Sequence, residues 1–359
     1  MKIKAIRARA VSAPMKKPLV TSIATVSSAA LLLIDLQTDD GVTGRSYLFA
    51  VGKHNLGPIA KLVEAMAEMV KGDEVVPFDL EKKLRSKYAL LGVHNIVLFA
   101  IAGIDTAAWD ACAQAAGQPL VRLLGGAPRP IPAYNSNGLG LLPLKELPKA
   151  ANDLLKGGFN AVKLRLGRPD ARDDLEALRT VKKALGPDVR LMTDFNQGLS
   201  VAEAIRRGHM IDQEGGVYWI EEPVRADDFS GCHSVRKEIE TPIQIGENFM
   251  GPEQMAQALA AGASDYVMPD LERIGGVTGW MRAAALAQGA GVEMSSHLFP
   301  EASAHLLAVT PTCHWLEYVD WADAVLKDPL EVKDGFAHIP DTPGTGIVWD
   351  EKAVKKYSV

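Results

Sequence analysis

Cysteine is scarce: the 359 residues contain three, Cys112, Cys232 and Cys313. They are too few and too scattered for a disulfide framework or a zinc site, so a reducing cytoplasm is the expected compartment. Positive charge is not in excess. A net charge of -5 gives a nucleic-acid role no electrostatic support. Long apolar runs are missing too. The most apolar stretch, residues 89–104, is broken by His94 and Asn95 and stops at Asp105. It falls short of the ~20 residues of a membrane span and reads as a buried helix, so no membrane association is expected. The N-terminal MKIKAIRARAV alternates basic and apolar residues, which marks a strand rather than a signal peptide. No low-complexity linker or charge run is present. With 47% hydrophobic and 23% charged residues, collagen-like and disordered classes are excluded. At ~100–200 residues per domain, the length suggests two docked domains or one large barrel with additions.

The first third reads as α+β. Strands are expected over 2–11, 30–37 and 42–50, the last two joined by a hairpin at Asp39, Asp40 and Gly41. Helices are expected over 55–71, 79–89 and 95–116, the first stopped by Gly72 and the third by Gly117. From about Ile131, eight short apolar runs alternate with helical stretches: IPAYNS, NAVKLRL, VRLMTDFN, VYWIEEP, PIQIGE, SDYVMPD, GVEMSSH and CHWLEY. That alternation predicts an α/β fold, a parallel barrel more compact than the usual ~250 residues. The expected organisation is a capping α+β domain over 1–125, a barrel over 126–328 and a tail over 329–359. The tail's prolines and glycines mark irregular chain that returns to the capping domain.

Each apolar run ends in a polar residue. In order these are Ser136, Lys163 with Arg165, Asp194 with Asn196, Glu221, Glu247, Asp270, His297 and Glu317. From Asp194 the gaps are 27, 26, 23, 27 and 20 residues, about one βα unit each. The set therefore converges on the C-terminal rim of the barrel, where barrel active sites lie. Three facing carboxylates, Asp194, Glu221 and Glu247, repel one another unless a cation sits between them. Hard oxygen ligands without histidine or cysteine suggest Mg²⁺; ordinary solvated loop acids are the bland alternative. Glu222 follows Glu221 and points the other way by strand alternation.

Asp270 and His297 fall on adjacent strands, and an aspartate can fix a histidine tautomer and raise its basicity, giving a general base. The pair could equally be a satisfied core histidine. His305 and His314 fall on faces without a converging partner, and His338 lies in the tail. Lys163 and Arg165, two apart on a strand, share a face, and buried cations there need an anion such as a substrate carboxylate; surface cations are the alternative. Glu317 could donate a proton as a neutral acid. A metal, a base, cations and an acid suit removal of a proton next to a carboxylate.

The strings AVKLRLG, TDFNQG, WIEEP, GEN, MPDLERIGGVTGW, SSHLFPEASAHLLA and HWLE together resemble the enolase superfamily, and within it the mandelate racemase subgroup. The resemblance spans nearly the whole chain. It implies a capping domain on a modified TIM-type barrel. It implies Asp194, Glu221 and Glu247 as Mg²⁺ ligands, Asp270 and His297 as the base dyad, and Glu317 as the acid on the enolate. Lys163 would touch the carboxylate of a small-molecule substrate, with Asn196 and Ser136 as polar groups near metal and substrate. A homo-oligomer, an octamer in many members, is implied on the same ground.

The subgroup's Lys-X-Lys motif reads Lys163-Leu164-Arg165 here. Arginine is a poor base. Either Arg165 is perturbed, or Lys163 takes over, or only the His297 face does acid–base chemistry, which would suit a dehydratase. In this family a flexible lid loop sets the substrate. Here it falls at about 18–28, with Val20, Ile23 and Val26 as candidate substrate contacts and Leu48, Phe49 and Val51 in the same wall. Apolar lid residues favour an aromatic or aliphatic group over a sugar acid; plain packing of the capping domain is the alternative. A carboxylate-binding barrel without catalysis is the reading from another class.

Overall fold

Alternating apolar residues build the first sheet. In the computed structural model, which describes residues 1–22 and 24–359, strands β1 (Ile3–Val20), β2 (Thr25–Thr38) and β3 (Thr43–Phe49) form an antiparallel sheet in that order. Helices α1 (Lys53–Val70), α2 (Pro77–Lys87) and α3 (Ile96–Ala115) follow. The helix at 89–104 is displaced: α3 begins at Ile96, and Leu90 and Leu91 lie exposed in the preceding turn. Helix α3 is long and apolar enough to cross a membrane, but 78% of its most apolar window is buried inside the fold, as in a core helix. A single turn, α4 (Leu120–Leu123), leads out of this domain.

Strands β4 (Ile131–Asn135), β5 (Ala161–Arg165), β6 (Arg190–Asp194), β7 (Ile220–Glu221), β8 (Ile243–Ile245), β9 (Tyr266–Val267), β10 (Glu293–Met294) and β11 (Leu316–Tyr318) follow the eight predicted runs. They pair in parallel from β4 through β10, and β11 pairs with β4. A parallel bridge between Met294 and Cys313 closes the ring into a barrel-like sheet. Seven helices cover it: α5 (Leu147–Leu154), α6 (Ala171–Leu185), α7 (Val201–Glu214), α8 (Phe229–Glu238), α9 (Pro252–Ala260), α10 (Gly276–Ala290) and α11 (Pro300–Val309). Side-chain oxygens of Asp170, Ser200 and Asp228 cap α6, α7 and α8 by accepting backbone N–H bonds that the first turn leaves open.

Two expectations change. Most of the described part of 18–28 is strand rather than loop: β1 and β2 stay paired out to Leu19 with Val26 and Val20 with Thr25, the end of a β-ribbon. The tail is not merely irregular. Strands β12 (Glu331–Lys333) and β13 (Phe336–His338) form a hairpin that adds to β4, and α12 (Glu351–Tyr357) ends the chain. The tail does return to the first domain. The Trp349 indole donates to Asp35 at 2.8 Å, and Arg9 pairs with Glu351 at 2.6 Å.

The two domains meet through α3 and α10. Both oxygens of buried Asp105 accept from Thr278, at 2.9 Å from its N–H and 2.5 Å from its hydroxyl. Burial pushes the Asp105 carboxyl up to about 7. Gly276, at φ +75°, permits this approach, because a Cβ there would lie 2.5 Å from the Asp105 carboxylate.

Candidate active site

Parallel strands that stop at one level bring their C-terminal residues together. Asp194 ends β6, Glu221 ends β7, and Glu247 lies two residues past β8. One oxygen from each falls within 4.8 Å of the others. Lys163 on β5 is buried among them, with Nζ 2.5 Å from Glu221, 2.9 Å from Glu317 and 3.3 Å from Asp194. Burial alone would lower the Lys163 pKa, but Glu221, Glu317 and Asp194 outweigh it, so the ammonium is held well above its ordinary value. Glu221 moves the other way from an exposed acid. Burial raises it to about 8 despite Lys163, and the neighbouring carboxylates add to the rise.

One ammonium does not balance this group of acids. Asn196 Oδ1 and Glu222 Oε2 are buried acceptors without a partner among the described residues. A carboxylate triad with spare oxygen acceptors around it fits a hard divalent cation. Glu222 lies outside the group of three, but it is buried rather than solvated and stands near Glu247. Its Oε1 accepts from Asn248 at 2.7 Å, and burial followed by repulsion from Glu247 pushes its carboxyl well up.

The histidine faces Glu247 and shares Glu317 with Lys163. His297 Nδ1 is 2.7 Å from Asp270 Oδ2, and its Nε2 is 3.4 Å from Glu247 and 3.7 Å from Glu317. Burial works to lower its pKa, but Glu247, Glu317 and Asp270 together raise it to about 9. The turn behind it is strained: Leu298 and Phe299, side by side, both have φ +49°. The Leu298 N–H donates to Glu317 at 3.1 Å, which ties this turn to β11.

Other expected residues lie here with altered duties. Arg165 spends its guanidinium on the β4–α5 loop. It donates to the Ser136 carbonyl at 3.0 Å, the Ser136 hydroxyl at 3.1 Å and the Gly138 carbonyl at 3.1 Å. Asn196 grips Asp194, its N–H at 2.7 Å and its side-chain amide at 3.0 Å. Glu317 runs against the neutral-acid expectation. Burial would raise its pKa, but Lys163 and His297 overcome that and hold it well below the carboxylate range. Val20 is half-buried and its carbonyl accepts from Leu141 at 2.9 Å; Val26 packs against the barrel core. Ile23 lies outside the described residues. His314 and His305 do have partners, contrary to the sequence reading: His314 meets Tyr218 at 2.9 Å and Ser295 at 3.3 Å, and His305 Nδ1 accepts from the Val121 N–H at 3.2 Å. A cleft of about 640 Å³ lies elsewhere, beside the tail, and is lined by Arg45, Glu301 and His338.

Four neighbours were not singled out from the sequence. Arg273 donates to the Glu247 carbonyl and to Asn248 Oδ1, both at 2.9 Å. Glu272 accepts from the Phe49 N–H at 2.8 Å. Asn248 bridges Arg273 and Glu222, and Ser22, at the ribbon tip, donates to the Phe195 carbonyl at 2.9 Å. The only signal for the first three was their place inside the GEN and MPDLERIGGVTGW strings.

Known proteins share this arrangement of domains. Residues 4–125 match the model of the mandelate racemase / muconate lactonizing enzyme N-terminal domain, and residues 146–353 match the enolase C-terminal domain-like model. The chain is 46% identical to an enolase from Bradyrhizobium crystallised with magnesium and mandelic acid, with a TM-score of 0.95 over 100% of this chain and 98% of that one. It is 32% identical to the L-talarate/galactarate dehydratase of Salmonella typhimurium, over 91% of this chain and 82% of the relative. A racemase from Streptomyces coelicolor A3(2), solved with bound magnesium, is 28% identical at a TM-score of 0.93, over 99% of this chain and 100% of that one. The chain belongs to the mandelate racemase / muconate lactonizing enzyme family of the enolase superfamily.

Proposed function

We propose that this protein is a Mg²⁺-dependent enzyme that removes the α-proton of a 2-hydroxycarboxylate to form an enolate, with racemisation as the outcome. The observation that carries the reading is the Asp270-bound His297, whose free Nε2 lies 3.4 Å from the Glu247 member of the carboxylate triad. Asp194, Glu221 and Glu247 would hold the cation, which when bound supplies the positive charge that a carbon acid of this weakness needs. His297 takes the proton on one face and Asp270 stabilises the imidazolium that results. Glu317, between His297 and Lys163 and ionised by them, would hold these two cationic groups in place beside the developing enolate. Lys163 approaches from the other side, already protonated, and delivers a proton to the opposite face. The mandelic acid bound by the Bradyrhizobium neighbour supports an aromatic 2-hydroxy acid.

A second reading, dehydration of a sugar acid, is favoured by one observation. Arg165 is committed to Ser136 and Gly138, so the motif's second position offers no base. His297 alone would then remove the α-proton and protonate the departing hydroxyl. Incubation with Mg²⁺ in D₂O, with each mandelate enantiomer and with galactarate, decides between them by proton NMR and chiral chromatography. Exchange of both enantiomers with loss of optical activity is expected. A 2-keto product with loss of water would establish dehydration instead. Retained exchange in His297→Asn would remove His297 as the base.

A further inference from the structure

Glu272 sits at the join of three parts of the molecule. Its side chain is buried and its Oε2 accepts from the Phe49 N–H of the first domain at 2.8 Å. Its own N–H donates to Asp270 Oδ1 at 2.9 Å, and the N–H of Arg273 reaches the same oxygen at 3.1 Å. Asp270 Oδ2 is the atom that holds His297. Phe49 closes strand β3, and its ring lies tilted against Trp321, four residues past Glu317, with centroids 5.0 Å apart. A single residue therefore links the last backbone N–H of a capping strand to the aspartate of the base pair.

We infer that Glu272 is a positioning residue that couples docking of the capping strand to the orientation of the Asp270–His297 pair. The inference rests on His297 being the base. The link works through geometry. The Ala50 N–H pairs with the Ala30 carbonyl, so in this register the Phe49 N–H faces away from β2, and losing the Glu272 carboxyl removes the acceptor that ties it to the barrel. The same loss lets the 270–273 turn relax, and with it the carboxylate that aims the imidazole. Small errors in the aim of a catalytic group cost rate more than they cost binding. Burial and repulsion from Asp270 push the Glu272 carboxyl up to about 8. A neutral acid and an amide accept the Phe49 bond alike, so Glu272→Gln conserves the link while Glu272→Asp, one methylene shorter, and Glu272→Ala break it.

The test uses the full-length protein in three variants and two readouts. The first is hydrogen exchange of the Phe49 amide, which needs no activity. Protection should fall about tenfold or more in Glu272→Ala and Glu272→Asp and stay within about threefold in Glu272→Gln. The second follows the pair: kinetics with mandelate, and the downfield Nδ1–H resonance of His297 in the free protein. In the broken-link variants kcat should drop about 10- to 100-fold with KM within about threefold, and the resonance should shift or vanish; Glu272→Gln should restore both. Unchanged Phe49 protection in Glu272→Asp overturns the link. Lost protection with an unaltered His297 resonance overturns the coupling. Failure of wild-type exchange with mandelate bears on the proposed function alone, because the resonance still decides the inference.

Discussion

The Nδ1 of His297 stands 2.7 Å from Oδ2 of Asp270, and the two backbones join in a parallel bridge just past the ends of β9 and β10. The bridge fixes the Cα separation and the hydrogen bond fixes the ring. With the other Asp270 oxygen taken by two backbone N–H groups, neither partner can turn without breaking several bonds. Asp270→Asn keeps the shape but leaves an imidazolium without its carboxylate. The α-proton exchange rate is expected to fall about 100-fold or more, with an unchanged circular dichroism spectrum. A near-normal rate would show that Asp270 only packs the histidine.

The charge around His297 gives a second expectation. Burial favours the neutral ring, yet Glu247, Glu317 and Asp270 raise its pKa to about 9. One of these, Glu247, belongs to the triad proposed to hold the cation. A cation there neutralises the Glu247 charge and removes part of what raises the pKa. Mg²⁺ should therefore lower the His297 midpoint by about one unit or more, bringing the neutral base toward physiological pH. An NMR titration of the imidazole with and without Mg²⁺ reads this directly, and coincident midpoints would place the cation away from Glu247.

Arg273 bears on the same ligand through the backbone. Its guanidinium holds the Glu247 carbonyl and Asn248, and Asn248 in turn holds Glu222. Removing it frees the loop that presents Glu247. Partners of metal ligands are typically worth about 10- to 100-fold in affinity, so Arg273→Ala should weaken Mg²⁺ binding by that amount in calorimetry. Glu247→Gln should weaken it as well, and unchanged affinity in that variant would take Glu247 out of the site.

These contacts mark what the sequence could and could not show. The rim residues were legible because each closes an apolar run and the runs repeat at the spacing of a βα unit. The ribbon was missed because Pro14 and Pro18 interrupt the alternation of β1. An edge strand tolerates them, and β1 is an edge with a register shift between Pro14 and Leu19. The tail hairpin did carry a signal, Asp334-Gly335, both residues at positive φ. The tether from Glu272 to Phe49 joins residues 223 apart in sequence. No periodicity encodes such a pairing, because it depends on how two domains dock.

Arg165 supports the last prediction. Its two terminal nitrogens reach three acceptors on the β4–α5 loop, a fork that a lysine cannot reproduce. Arg165→Lys therefore changes two things at once. It offers a titratable amine where the subgroup carries its second base, and it releases Ser136 and Gly138 from their clamp. If the guanidinium is what limits proton transfer on the second face, the substitution should raise racemisation relative to exchange of a single enantiomer. If the clamp matters more, both exchanges should fall together. Following both mandelate enantiomers in D₂O separates the outcomes, because a base defect acts on one face and a loosened loop acts on both. A change in the ratio of the two exchange rates, rather than in either rate alone, would identify Arg165 as the residue that limits the second face.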